Sequence, residues 1–200
     1  MAHHLDYDWE KSLNVAIFEM LHSTPYIGTI PSEHVKGTPE RVVKAFKEYF
    51  GGCAVDPLEL LSAKFEASPQ SQMIHVKDIP FYSMCAHHLV PFFGKVYFAY
   101  VPDKHIVGLS KIPRMISALS RRPQVQERLA DQIVDTFMEG LKPKGCAVLI
   151  RGYHFCMLSR GVKAESSYTT NTSLRGVFFT DHSTKAEFLQ EASIYPKVWG

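Results

Sequence analysis

Residues 83–89 read SMCAHHL, which places Cys85, His87 and His88 within four positions. A thiolate and an imidazole three residues apart can reach one metal ion from a single turn of chain, and both donor types suit zinc. A second short segment, HFCM, supplies His154 and Cys156 two residues apart. On a strand, that spacing turns both side chains to one face. A structural zinc site would take four of these donors: Cys85, His87 or His88, His154 and Cys156. A catalytic zinc site would take three, keep one position open, and leave the remaining imidazoles for proton transfer. Spacing alone leaves both arrangements open.

Two further segments carry groups suited to a nucleotide. In GLSKIPRMI, Ser110, Lys111 and Arg114 stand at the expected start of a helix. Exposed N–H groups, a hydroxyl and two cations there fit a phosphate, although a charged first turn also forms for solvation alone. No GxxxxGK loop is present, so a phosphate site here is not of the Walker type. In RRPQVQERL, Gln126 and Glu127 fall in a helical first turn. The Glu127 carboxylate could accept from the two N–H groups on the edge of a guanine; the helix dipole also favours Glu there without any ligand. Arg160 follows the second cysteine cluster closely enough to close over the same site or to serve as a turn residue.

The 200 residues, 46% hydrophobic and 21% charged, suffice for one domain with a real core, or a core domain with an appended helical segment. A formal charge of +2 with no Lys/Arg run argues against a nucleic-acid partner. No apolar stretch has the length of a membrane span, and the first residues lack a signal-peptide core. The reading is therefore a cytoplasmic chain whose four cysteines are reduced. Cys53 and Cys146, each following glycine, are expected to be packing residues.

The elements that must position these groups follow from periodicity. Apolar residues at Trp9, Leu13, Ile17, Met20 and Leu21 predict a helix over 9–22, then a loop over 23–37. Thr38 reads as an N-cap with Pro39 at the first helical position, and Gly51–Gly52 stops that helix. A short helix and a loop are expected over 56–72, strands over 73–79 and 94–101, helices over 110–121 and from Pro123, strands over 146–157 and 173–179, and a last helix over 181–191. Consecutive strands favour an antiparallel four-stranded sheet with two helices on one face, an α+β domain over 56–200 behind an N-terminal helical segment over 1–55. Such a sheet has exposed edges, which assembly can cover.

Together FYSMCAHHLVPFFGKV, GLSKIPRMI, RRPQVQERL, HFCMLSRGV and TSLRGVF resemble GTP cyclohydrolase I, in order and spacing, over roughly Thr38 to Phe178. The resemblance implies the tunnelling fold, in which subunits join their sheets into a barrel. It implies a homodecamer of two face-to-face pentamers with active sites at subunit junctions. It implies a zinc ion on Cys85, His88 and Cys156, with His87 and His154 as proton-transfer groups. Glu127 would anchor guanine with Gln126 beside it. Ser110, Lys111, Arg114, Arg160 and Arg41 would contact the ribose and triphosphate of GTP. The implied reaction opens the GTP imidazole ring at C8, releases formate and gives 7,8-dihydroneopterin triphosphate. Two positions depart from the family pattern: Ala86 replaces the Glu of Cys-Glu-His-His, and Arg151 stands where an acidic residue is common. A paralogue with a truncated or different product, and a non-catalytic zinc-stabilised nucleotide-binding protein, are the alternative readings.

Overall fold

The computed structural model describes residues 8–23 and 30–193. Positions 24–29 of the expected loop lie outside the described residues. The chain forms two compact units, 1–50 and 51–200. The first holds helix α1 (Trp9–Ser23), the single turn α2 (Ser32–Val35) and α3 (Thr38–Tyr49). Thr38 is not the cap of α3. Gly37 precedes the helix at φ 71°, a left-handed conformation that glycine adopts without strain. The Thr38 hydroxyl instead accepts a hydrogen bond from Arg41 Nη2 at 2.9 Å.

The second unit opens with 3-10 turns at Gly51–Ala54 and Glu59–Leu61, then strands β1 (Lys64–Glu66), β2 (Ile74–Cys85), β3 (Pro91–Val101) and β4 (His105–Val107). Helix α4 (Lys111–Ser120), strand β5 (Pro123–Gln124) and helix α5 (Gln126–Leu141) follow. The chain then runs through β6 (Gly145–His154), the turn α6 (Phe155–Leu158), β7 (Thr169–Gly176), the turn α7 (Val177–Thr180) and α8 (His182–Ser193).

The four expected strands are present as the antiparallel run β2-β3-β6-β7. Two additions change the expected sheet. The two-residue β5 pairs in parallel with the end of β2, making five strands, and β1 pairs with β4 in a separate two-stranded ribbon. Pro123 therefore does not start a helix. It pairs with Met84, and α5 begins three residues later at Gln126. Arg122 holds this connection: its Nε donates to Gly52 O at 3.0 Å and Ala118 O at 3.1 Å.

The helices also cover more than one face. On β3, Phe92, Val96, Phe98 and Tyr100 face a core shared with Ile112, Ile116, Ile133 and Phe137 of α4 and α5. The alternate residues Tyr97 and Ala99 face a second core with Phe178 of α7 and Phe188 and Ala192 of α8. The segment expected as a strand over 173–179 accordingly splits: β7 ends at Gly176, which has φ 61°, and Phe178 turns into the second core on α7. Cys146 is buried as expected, but Cys53 is exposed and packs no core.

One irregularity decides which side chains reach the site. Ile74 and Val76 of β2 pack on the α4/α5 side, and so do Ile79, Phe81 and Cys85. Even and odd positions cannot share a face on a regular strand. The register slips by one residue between Val76 and Ile79, and Asp78 sits at φ 55°. This bulge switches the phase of β2.

Phe137 is fully buried, with its ring centroid 4.8 Å from that of Phe98 and 4.9 Å from that of Tyr100. Phe137→Ala should destabilise the second unit by about 3–5 kcal/mol. Urea unfolding checks this; an unchanged midpoint would mean that the α5–sheet contact is not a principal source of stability.

Candidate metal centre and active site

β2 ends at Cys85, and a turn over 86–89 leads into β3. Cys85 O accepts from His88 N at 3.2 Å and Leu89 N at 2.8 Å, and Leu89 takes φ 51° to close the turn. Ala86 N donates to Gln124 O of β5 at 2.9 Å, which fixes the turn against the sheet edge. Cys85 is buried, while Ala86, His87 and His88 are exposed. The donor turn is thus tethered by backbone hydrogen bonds and open to solvent on its histidine side.

The second cluster arrives differently from the expected strand. β6 stops at His154, and Phe155–Leu158 form one helical turn. Strand parity therefore does not bring His154 and Cys156 together. The turn is held by Ser159 Oγ donating to Phe155 O at 2.8 Å and Arg160 Nη1 donating to Cys156 O at 3.0 Å. It delivers Cys156 to the first cluster: ligand atoms of Cys85, His88 and Cys156 all lie within 4.8 Å of one another. His88 Nδ1 is 3.6 Å from Cys85 Sγ, and His87 Nδ1 is 4.0 Å from it.

The electrostatics of this group favour a cation. Burial, together with the adjacent Cys85, pushes the Cys156 thiol up. Two thiolates so placed repel each other unless positive charge lies between them. The three-donor group of two thiols and one imidazole could hold a divalent metal and leave one coordination position open.

His154 stands apart from this trio, on the sheet face that carries the α4/α5 core. It is the cross-strand partner of Phe92, and the two rings stack with centroids 4.6 Å apart and planes 5° off parallel. Burial lowers the His154 pKa, and the nearby Glu127 charge opposes that shift. His154 Nε2 lies 2.7 Å from Gln126 Oε1. Gln126 is itself buried, and its Nε2 donates to Thr169 O at 3.0 Å and Asn171 Oδ1 at 2.7 Å. Its amide crosses β6 over Gly152, where an added Cβ would fall 2.1 Å from Gln126 Oε1.

The other sequence-derived candidates divide into two groups. Glu127 is exposed beside Gln126 in the first turn of α5, and Arg160 is exposed beside Cys156. Arg160 thus adjoins a residue of the donor trio, and the Glu127 charge acts on His154. Ser110 and Arg114 are exposed and Lys111 half-buried at the start of α4. That helix packs on β2, and its far end leads into Pro123, the partner of Met84. Ten residues of helix span roughly 15 Å, so Ser110 and Lys111 stand about one helix length from the end of α4, with Arg114 one turn nearer. Arg41 is exposed on α3 in the first unit. Arg151 lies over the Tyr168 ring at 4.8 Å, on the face opposite His154. Asn171 and Thr169 were not singled out by sequence reasoning. A β7 that opens with five consecutive polar residues carries no local signal that one side reaches the Gln126 amide.

Comparison with known proteins is consistent throughout. The family model described as GTP cyclohydrolase I matches residues 16–193. The GTP cyclohydrolase 1 of Chlorobaculum tepidum is 43% identical over 190 residues, 94% of this chain and 84% of that protein. That of Carboxydothermus hydrogenoformans is 43% identical over 180 residues, covering 89% and 92%. One from Dehalococcoides mccartyi is 45% identical over 166 residues, covering 82% and 87%. A donor trio built from both cysteine segments, and a match that spans nearly the whole chain, lead to one assignment: the chain belongs to the GTP cyclohydrolase I family.

Proposed function

We propose that the chain is a zinc-dependent GTP cyclohydrolase I. It opens the imidazole ring of GTP hydrolytically at C8, releases that carbon as formate, and rearranges the remainder to 7,8-dihydroneopterin triphosphate. The observation that carries this reading is the convergence of Cys85, His88 and Cys156 within 4.8 Å in a member of this family. Two soft sulfur donors, one imidazole and an open fourth position suit catalytic zinc. Zinc held there would supply Lewis acidity and make hydroxide available from water near neutral pH.

The chain's own groups supply the rest. His87, beside Cys85, and His154, on the Gln126 amide, exchange protons with the substrate ring and with water. Glu127 accepts the N–H groups of the guanine edge. Gln126, whose amide is engaged within the chain, contributes through His154. Arg160 meets the ribose–triphosphate, together with Ser110, Lys111 and Arg114 and with Arg41. Cations and the α4 N-terminus hold the triphosphate while the proton transfers run.

Ser110 and Lys111 stand about one helix length from the end of α4 that leads to Pro123 and Met84, which favours a site completed by a neighbouring copy. Among the described residues no strand pairs with the outer side of β7, and β5 pairs only with Met84 and Cys85 of β2. Open edges of this kind invite sheet-to-sheet joining. The reading is a tunnelling-fold barrel, assembled as a homodecamer, with residues 56–200 as the catalytic domain behind the 1–55 helical segment. The use of cysteines as metal donors suits a reducing compartment, and the reading is a cytoplasmic protein. Among the described residues, no helix is long and apolar enough to cross a membrane.

Ala86 supports a second reading. A methyl group stands beside a metal-ligand candidate where the family carries a carboxylate. Loss of that proton acceptor favours a relative that opens the ring and stops before pterin closure.

Metal analysis and GTP turnover of two variants test the ligand assignment. His88→Ala should lose zinc and activity. His87→Ala should keep zinc while turnover falls by about 100-fold or more. Equal zinc retention in both variants would contradict the assignment. Sizing at micromolar concentration should give a large oligomer; an active monomer would refute the composite site.

A further inference from the structure

The hydrogen bonds around Gln126 determine how His154 is presented. The Thr169 carbonyl oxygen can only accept, so the Gln126 atom 3.0 Å from it is the amide nitrogen. The same nitrogen meets Asn171 Oδ1 at 2.7 Å, so both amide hydrogens have acceptors. The Gln126 oxygen is thereby committed to His154. An amide oxygen cannot donate, so His154 Nε2, at 2.7 Å, must carry the hydrogen. In the neutral ring, Nδ1 is then the one nitrogen with a lone pair.

We infer that Asn171 is a positioning residue for the reaction: through Gln126 it locks His154 in the Nε2–H tautomer and leaves Nδ1 as its only proton acceptor. Three features make the lock specific. Asn171 lies on β7, across from Ile150 of β6, and is half-buried. Gly152 on β6 leaves the gap through which the Gln126 side chain passes, since a Cβ there would collide with Oε1. Phe92 stacked on the imidazole fixes the ring plane, so the tautomer also fixes the direction of the lone pair. A rotated Gln126 amide would set two N–H groups against each other at His154, or oblige the ring to expose Nε2 instead. Thr169 alone supplies one acceptor; Asn171 supplies the second, which a single carbonyl would leave missing.

The inference rests on the proposed reaction only for its kinetic consequence, because the tautomer belongs to the folded chain. The test uses zinc-loaded full-length protein labelled at the histidine ring nitrogens. Heteronuclear NMR distinguishes a protonated from a bare ring nitrogen, and His154→Gln identifies the His154 signals. Wild type should show a protonated Nε2 and a bare Nδ1. In Asn171→Ala the two tautomers should mix, and kcat should fall about tenfold with KM for GTP changed less than about twofold. Asn171→Asp, which keeps an acceptor oxygen in place, should restore the single tautomer and most of kcat. Asn171→Ser provides a milder truncation if the alanine variant folds poorly, and should show the same mixing. A bare Nε2 in wild type would overturn the inference, as would an Asn171→Ala protein with an unchanged tautomer. If the tautomers behave as expected in a protein that does not turn over GTP, the tautomer lock stands and the proposed reaction fails.

Discussion

The phase of β2 governs everything built at its end. The β2 residues of the α4/α5 core fall on even positions before Asp78 and on odd positions after it, and the helices of one face bury both sets. A regular strand would bury one set and expose the other. Burying Ile79 and Phe81 is worth roughly 1.5–3 kcal/mol each. Holding Asp78 in a left-handed conformation costs about 1–2 kcal/mol. The hydrophobic gain wins, the chain accepts a one-residue bulge, and Cys85 turns to the face that also carries Phe92 and His154. A site that needs a thiol on that face follows from a packing requirement several residues away.

Around this anchor, α5 acts as the hub of a polar seam along the edge strand. Gln126 reaches Thr169 and Asn171, Asp131 accepts from Ser173 Oγ at 2.6 Å, and Asp135 accepts from Arg175 Nε at 2.8 Å. The exposed pairs in this seam add little stability individually. Their effect is geometric: they fix α5 against β7, and with it the amide that meets His154. The same helix presents Glu127 to solvent one residue on. The donor trio has a different support: backbone hydrogen bonds close the turn after Cys85, and the Ser159 and Arg160 side chains bond the carbonyls of the helical turn that carries Cys156.

Much of this was legible in the sequence, and the misses have physical causes. The helices α1 and α4 follow their apolar spacing, and the two cysteine clusters were identified by donor type. Strand periodicity placed His154 and Cys156 on one face, but a helical turn beginning at Phe155 overrides it. Cys156 reaches the trio by that turn. Pro123 looks like a helix start because its φ suits one; backbone pairing with Met84 decides otherwise. The bulge did leave a trace, since the apolar pattern shifts from Ile74 and Val76 to Ile79 and Phe81, with Asp78 able to tolerate the turn. The contacts of Gln126 left none. They join residues 28 and more positions apart, and only the folded sheet brings them together.

The account stands or falls on complete chemistry at a site with Ala86 beside Cys85. The most direct measurement is GTP conversion by the purified zinc-loaded protein, with formate and the pterin chromophore followed in the same reaction. The account predicts that both appear in equal amounts and that chelation stops both together. Formate without pterin would contradict the full cyclohydrolase and assign the chain a ring-opening reaction that ends early. Neither product, with zinc bound and the protein folded, would contradict the proposed activity itself.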